Sequence, residues 1–231
     1  MSAAWRRLGP WTSNGITLRQ FHQAEGVEDW RVVGDGACAW FRTGSFAAGA
    51  RLVRAIGELA GLGDHQPDVD LCHDGVTVRL LTVTGDWYGL SERDLELARQ
   101  ISALAREQGV PADPSMVRSV QVSIDARRRR RAAVLACRAR LRVPRRQPRR
   151  GPGRPARPRA VVLVQQMDTP RPQRNRIHVD VWVPYELAEA RVAAAVAAGG
   201  RLLTDEHAPA WWVLADPEGN EACVATSMSR D

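Results

Sequence analysis

The sequence predicts an α+β protein in two parts: a four-stranded antiparallel sheet with helices on one face, in the order β-β-α-β-β-α, then at least one β-α-β-β-β module. Three observations carry this. Apolar residues alternate between spacings of two and of three to four up to about residue 107. Gly109-Val110-Pro111-Ala112-Asp113-Pro114 then places two prolines within six residues, and from Arg176 a strand, an Ala-rich helix and three further strands follow. At 231 residues, 44% of them hydrophobic, the chain is long enough for one large core or two small ones.

Taken in order, Leu18 to Gly26 predicts a short leading helix that closes near the glycine. Trp30 to Arg42 reads as two strands around Gly34-Asp35-Gly36, a hairpin turn sequence. Ser45 is placed to cap a helix whose apolar positions, Leu52, Val53, Ile56 and Leu59 among them, share one face and stop at Gly61-Leu62-Gly63. Val69 and Leu71, then Val76, Val78 and Leu80, alternate around His73-Asp74-Gly75 as a second hairpin. Ser91 caps the next helix, with Asp94 three residues on as a capping-box variant. The predicted first domain is 18–107, the connection 108–116 and the second domain 117–231. In the latter, Val117 to Ile124, Ile177 to Val183, Arg201 to Thr204, Trp211 to Ala215 and Ala222 to Thr226 read as strands, and Tyr185 to Ala198 as the helix. One such module cannot cover both faces of its sheet, so a partner module is expected within residues 116–167 or from another subunit.

Asp64-His65-Gln66-Pro67-Asp68, just after the second helix, resembles the signature His-His-Pro-Asp of the pterin-4a-carbinolamine dehydratases (4a-hydroxytetrahydrobiopterin dehydratases). Trp30, Phe41-Arg42-Thr43 with Phe46, and Gly89-Leu90-Ser91-Glu92-Arg93-Asp94 extend the resemblance over about Leu18 to Glu107. The family's first signature His falls on His65 and its second on Gln66; the His that follows a strand Thr falls on Val83, after Thr82. The resemblance implies loss of water from a 4a-hydroxytetrahydropterin. An acid protonates the departing hydroxyl and a base takes the proton of the neighbouring ring nitrogen. Imidazole suits both tasks because it titrates near neutral pH. Gln hydrogen-bonds without exchanging protons, and Val does neither. His65 is therefore left to act alone or with a carboxylate, Asp64 and Asp68 being nearest in sequence, while Gln66, Pro67, Thr82 and Trp87 are the expected substrate-binding residues. A turn residue before Pro67 is the plain alternative for His65.

The second half resembles the glyoxalase-like branch of the vicinal oxygen chelate superfamily, through Arg174-Asn175-Arg176-Ile177-His178-Val179-Asp180-Val181, Gly199-Gly200-Arg201, and Trp211 to Glu221 with its Asp216-Pro217-Glu218-Gly219 turn. Metal-using members take His, Gln or Glu ligands from strands of two modules. Here His178 stands at a ligand position, but Cys223 occupies the place of the closing Glu, seven residues after Asp216. With Gln165 or Gln166 as the remaining candidates, the expectation is a pocket with no metal and no cofactor.

All 33 basic residues are Arg, and 15 of them lie within residues 127–159, which hold no Asp or Glu. The remaining 18 face 26 acidic residues, so outside that segment the chain carries a net charge of −8. Three readings stand. An acid-free Arg/Pro segment binds phosphate backbones, yet no aromatic residue lies between Gly89 and Val181 for base stacking, so nucleic acid is not the expected partner. A disordered linker is the second. The third is a shifted reading frame: Val134 to Leu141 can be coded GTT CTG GCG TGC CGT GCT CGG CTA C, which after the last two bases of an Ala133 codon reads Pro-Phe-Trp-Arg-Ala-Val-Leu-Gly-Tyr in the neighbouring frame, and the glyoxalase-like family places a helix of that kind there.

Cys38, Cys72, Cys137 and Cys223 are widely spaced, which argues against a disulfide framework or a zinc finger. No apolar run reaches membrane-spanning length, and a cytoplasmic, soluble protein is expected. Together the two resemblances imply a lyase acting on a small-molecule pterin, fused to a glyoxalase-like domain, with self-association left open. A non-catalytic pterin or small-molecule binding protein is the alternative, and a metal-dependent lyase or dioxygenase in the second domain is a third reading.

Overall fold

The computed structural model describes residues 15–34, 36–59, 62–63, 65–83, 88–126, 161–166 and 177–229; for 124–126 and 161–166 the backbone alone is described. The expectations for residues 127–159 therefore lie outside the described residues. The chain divides into two compact units, one running from Gly9 to Arg118 with Ser227–Asp231, the other from Ser119 to Thr226 with Met1–Leu8.

In the first unit, β2 (Arg31–Val33), β3 (Gly36–Arg42), β4 (Asp68–Leu71) and β5 (Gly75–Leu80) form an antiparallel sheet in the order β2-β3-β5-β4. Both expected hairpins are present, pairing Arg31 with Cys38 and Val69 with Val78. Helices α1 (Leu18–Gln23), α2 (Phe46–Gly57) and α3 (Glu92–Glu107) supply the second layer. Ser45 Oγ accepts the Ala48 amide at 3.2 Å and starts α2. Leu52 and Ile56 on its inner face are buried, each worth roughly 1.5–3 kcal/mol of apolar burial. Gly49 lets that helix approach the sheet, because a Cβ there would lie 2.4 Å from Leu71 Cδ1. Trp30 is fully buried beneath α3, its indole N–H shared between Ser102 Oγ at 3.0 Å and the Ala98 carbonyl at 3.2 Å. That fixes both the body and the polar edge of the ring.

Three short strands were not expected from the sequence. β1 (Gly15–Ile16), β6 (Thr82–Val83) and β7 (Tyr88–Ser91) form a separate antiparallel sheet in the order β1-β7-β6. Strands of two to four residues carry too little alternation to be read as a pattern. Their effect is to bring Thr82 opposite Gly89 and to lead β7 directly into α3. Residues 108–116 join the two units, but as an ordered part of the first: the Arg42 amide donates to the Pro111 carbonyl and the Asp113 amide to the Trp40 carbonyl, both at 2.8 Å. Part of β3 lies beyond the reach of short β2, and this segment pairs with its backbone there.

The second unit is a single six-stranded sheet in the order β11-β12-β13-β10-β8-β9, made from β8 (Ser119–Ala126), β9 (Val161–Gln166), β10 (Ile177–Trp182), β11 (Arg201–Thr204), β12 (Trp211–Ala215) and β13 (Glu221–Ala225). The β-α-β-β-β module is complete in β10, α4 (Tyr185–Ala197) and β11–β13, with β10 parallel to β13. Strands β8 and β9 are also parallel, and β8 meets β10 antiparallel, so the two parallel pairs lie about an approximate twofold through the β8–β10 contact. Partner-module strands thus come from within the chain. Val183, Ala188, Trp212, Leu214 and Val224 form the core under α4. At the β12–β13 turn, Asp216 Oδ1 accepts the amides of Glu218 and Asn220, and Gly219 takes φ +91°, as its place in the sequence requires.

Candidate functional site

The local structure of the first unit converges on one buried carboxylate. Asp94 is the third residue of α3, where it accepts the Ser91 amide through Oδ2 at 2.8 Å as the returning half of a capping box. The same Oδ2 accepts the hydroxyls of Ser91 at 2.8 Å and of Thr82 at 2.6 Å. Its other oxygen, Oδ1, lies 2.8 Å from His65 Nε2. Asp94 is wholly inaccessible and the His65 side chain 7% exposed. His65 is held from its backbone too, its amide donating to the Leu62 carbonyl at 2.7 Å.

Electrostatics fix the protonation of this group. Burial pushes the Asp94 carboxyl upward, but hydrogen bonds from His65, Thr82 and the Ser91 side chain and amide outweigh it and hold the group below its ordinary value. An ionised carboxylate only accepts hydrogen bonds, so Nε2 of His65 carries the proton between them. In neutral His65 the lone pair then resides on Nδ1. This is the tautomer and polarisation that a carboxylate imposes on a general base.

The structure brings together two of the residues expected from sequence, His65 and Thr82, through a third that sequence reading took only as a cap, Asp94. Thr82 uses its hydroxyl on Asp94. Gln66 is exposed beside His65, Pro67 is half-buried, and Asp68 sits on β4 in register with Arg79. Val83 is 56% exposed. Asp64 and Trp87 lie outside the described residues. The signal available for Asp94 was its residue type: a helix-capping acid whose side chain is also within reach of the strand before it.

A second polar cluster occupies the sheet of the other unit. His178 and Asp180 on β10 share a face with Cys223 on β13, whose register places it opposite Asp180. Ligand atoms of the three lie within 4.8 Å of one another.

Two family models match the chain. Residues 15–104 match pterin 4 alpha carbinolamine dehydratase, and residues 120–225 match a glyoxalase-like domain. Among curated proteins, the first unit is similar to one from Nocardia farcinica, provisionally named pterin-4-alpha-carbinolamine dehydratase: 39% identical over 80 residues, covering 35% of this chain and 82% of the relative. Proteins with the same provisional name from Acidobacterium capsulatum (44% over 59 residues, 26% of this chain and 62% of the relative) and Mycobacterium leprae (32% over 78 residues, 34% and 81%) are also similar to this chain.

Proposed function

The chain belongs to the pterin-4-alpha-carbinolamine dehydratase family, and from that premise we propose that its first unit removes water from a pterin 4a-carbinolamine, with His65 as the proton-transfer group and Asp94 as the residue that positions it. The observation that carries this reading is the 2.8 Å contact between His65 Nε2 and the buried Asp94 carboxylate at the family's signature position. In the reaction the C4a–OH bond breaks, the hydroxyl leaves as water with an added proton, and the proton on the adjacent ring nitrogen is lost to give the quinonoid dihydropterin. Nδ1 of His65 takes the ring-nitrogen proton, and Asp94 stabilises the imidazolium that forms. The same imidazolium is then able to protonate a departing hydroxyl, so a single histidine serves both proton movements in sequence. Gln66 and Pro67 follow it directly as the proposed substrate contacts, and Asp68 at the start of β4 is the nearest described carboxylate in sequence.

A binding module without turnover is the second reading, favoured by one observation: Gln66 and Val83 stand where the family carries two further imidazoles. Measuring carbinolamine dehydration beside equilibrium pterin binding separates the two. Turnover that falls in His65→Ala supports the lyase; saturable binding with no turnover above the uncatalysed rate replaces it with the binding module.

A further inference from the structure

We propose that the first unit binds a small compound bearing a diphosphate group in a groove between α2 and the chain that follows α3. The groove has a volume of about 430 Å³, within the range of small-molecule sites, and Arg42, Thr43, Arg51, Arg54, Gln108 and Gly109 line it with no Asp or Glu among its walls. Its sign runs against its surroundings, because residues 15–118 hold 10 Arg against 15 Asp or Glu. Guanidinium groups gathered on one acid-free concavity focus positive potential where the rest of the unit is negative.

The cations of this groove are left open for a ligand. Arg51 makes no ion pair or hydrogen bond among the described residues. Arg54 has Glu58 at 3.7 Å with both side chains largely exposed, a pair of little strength. Arg42 is fixed in place: its guanidinium lies 4.8 Å from the centre of the Trp40 ring, and Nη2 donates to Asp113 at 2.9 Å. Nε and Nη1 of Arg42 remain, on a planar fork whose donors match phosphate oxygens two at a time. Ala48 and Ala55, three and four residues from Arg51 along α2, give the groove a low floor. On the opposite wall the amides of Gln108, Gly109 and Val110 turn back onto the carbonyls of Leu104, Arg106 and Ala105, so these acceptors are already occupied. Several guanidinium forks around one space favour a ligand with several anionic oxygens over a single carboxylate.

The groove is separate from the proposed proton-transfer pair. Asp94 is the third residue of α3 and Gln108 caps the other end, about 21 Å away along the helix axis. A small compound held there does not reach His65.

The test is arginine modification of the native full-length chain by p-hydroxyphenylglyoxal, with and without pyrophosphate, each position quantified by peptide mass spectrometry. The chain contains no Lys, so the reagent reports on Arg, and reading positions one by one sets aside the 15 Arg of residues 127–159. Pyrophosphate is expected to slow modification of Arg51 and Arg54 at least about fivefold, while Arg19 and Arg118, exposed and outside the groove, react as before. Inorganic phosphate, which spans fewer forks, should need about tenfold more for the same protection. Arg51→Gln, with an unchanged circular dichroism spectrum, should raise the pyrophosphate concentration that half-protects Arg54 about tenfold, because the two share one ligand. Protection of Arg51 and Arg54 no greater than that of Arg19 and Arg118, equal protection by inorganic phosphate, or unaltered protection of Arg54 in folded Arg51→Gln overturns the proposal. None of these readouts depends on dehydration at His65.

Discussion

The two units each place a histidine beside a buried aspartate, and the separation differs: 2.8 Å between His65 and Asp94, 3.6 Å between His178 and Asp180. At the shorter distance one proton is shared and the carboxylate sets the tautomer. At the longer distance the two groups stand as neighbours around a common space that includes a thiol. Their supports differ in the same sense. Asp94 is gripped by a helix cap and a strand hydroxyl from its own unit's connection, which aims it at one partner. Asp180 is steadied by Ser123 and Gln121 on a flat sheet face, with its second oxygen turned toward His178. A His–Asp pair is thus defined by what holds the carboxylate as much as by the pair itself.

Several substitutions press on that contrast. His65→Ala has the largest expected effect, a 10²- to 10⁴-fold fall in dehydration rate, the contribution of one well-placed acid or base. Rates measured for the folded variant at saturating substrate decide it, and an unchanged rate removes His65 from the reaction. Asp94→Asn comes next, with a loss of about 10- to 100-fold. Because Asp94 acts through His65, its kcat falls more than its KM rises, and the pH–rate profile moves; a merely structural role would leave the profile in place.

The same variant carries a stability prediction. The folded-state Asp94 carboxyl lies below its ordinary 3.8, so its stabilising contribution is complete above that value and disappears as pH falls through the lower folded value. Denaturant midpoints of the wild type should therefore drop below about pH 4, and Asp94→Asn should lack that part of the drop while starting roughly 1–3 kcal/mol less stable at pH 7.

Gln66→His is expected to raise the dehydration rate by adding a second proton-transfer group next to His65, with Val83→His adding to the gain. The ceiling is again about 10²- to 10⁴-fold, and the exposure of both positions places the expected gain at the low end. Equal rates for both variants and the wild type would mean that one imidazole already performs both proton movements. The smallest effect is that of Gly49→Ala, which sets a methyl against Leu71 and costs about 1–3 kcal/mol of the first unit's stability. The urea unfolding midpoints of the variant and the wild type check it.

Much of this fold was legible because its signals are local. Gly34-Asp35-Gly36 and His73-Asp74-Gly75 announce hairpins, and Ser45 and Ser91 announce helix starts, through backbone chemistry that needs no distant partner. β1, β6 and β7 were missed since each depends on tertiary pairing rather than on alternation. β9, Val161 to Gln166, opens on four apolar residues, Val161 to Val164, but stands beside an Arg-rich stretch and was passed over with it. The sites split along the same line. His65 carried a motif, whereas Asp94 had a sufficient local explanation as a cap, which hid its longer-range bond across 29 residues. Asp180 was concealed likewise: His-Val-Asp on a strand shows that two side chains share a face, but not which thiol the next strand brings to them.

The parallel pairing of β8 with β9 has a consequence for the stretch that connects them. Antiparallel neighbours can turn within two residues, but parallel ones oblige the chain to travel back the full length of a strand, for which a dozen or more residues are needed. Residues 127–160 far exceed that minimum. What the pairing demands of the connection is reach: a deletion that left fewer than about a dozen residues between Ala126 and Val161 would be too short to bring β9 alongside β8 in the same direction.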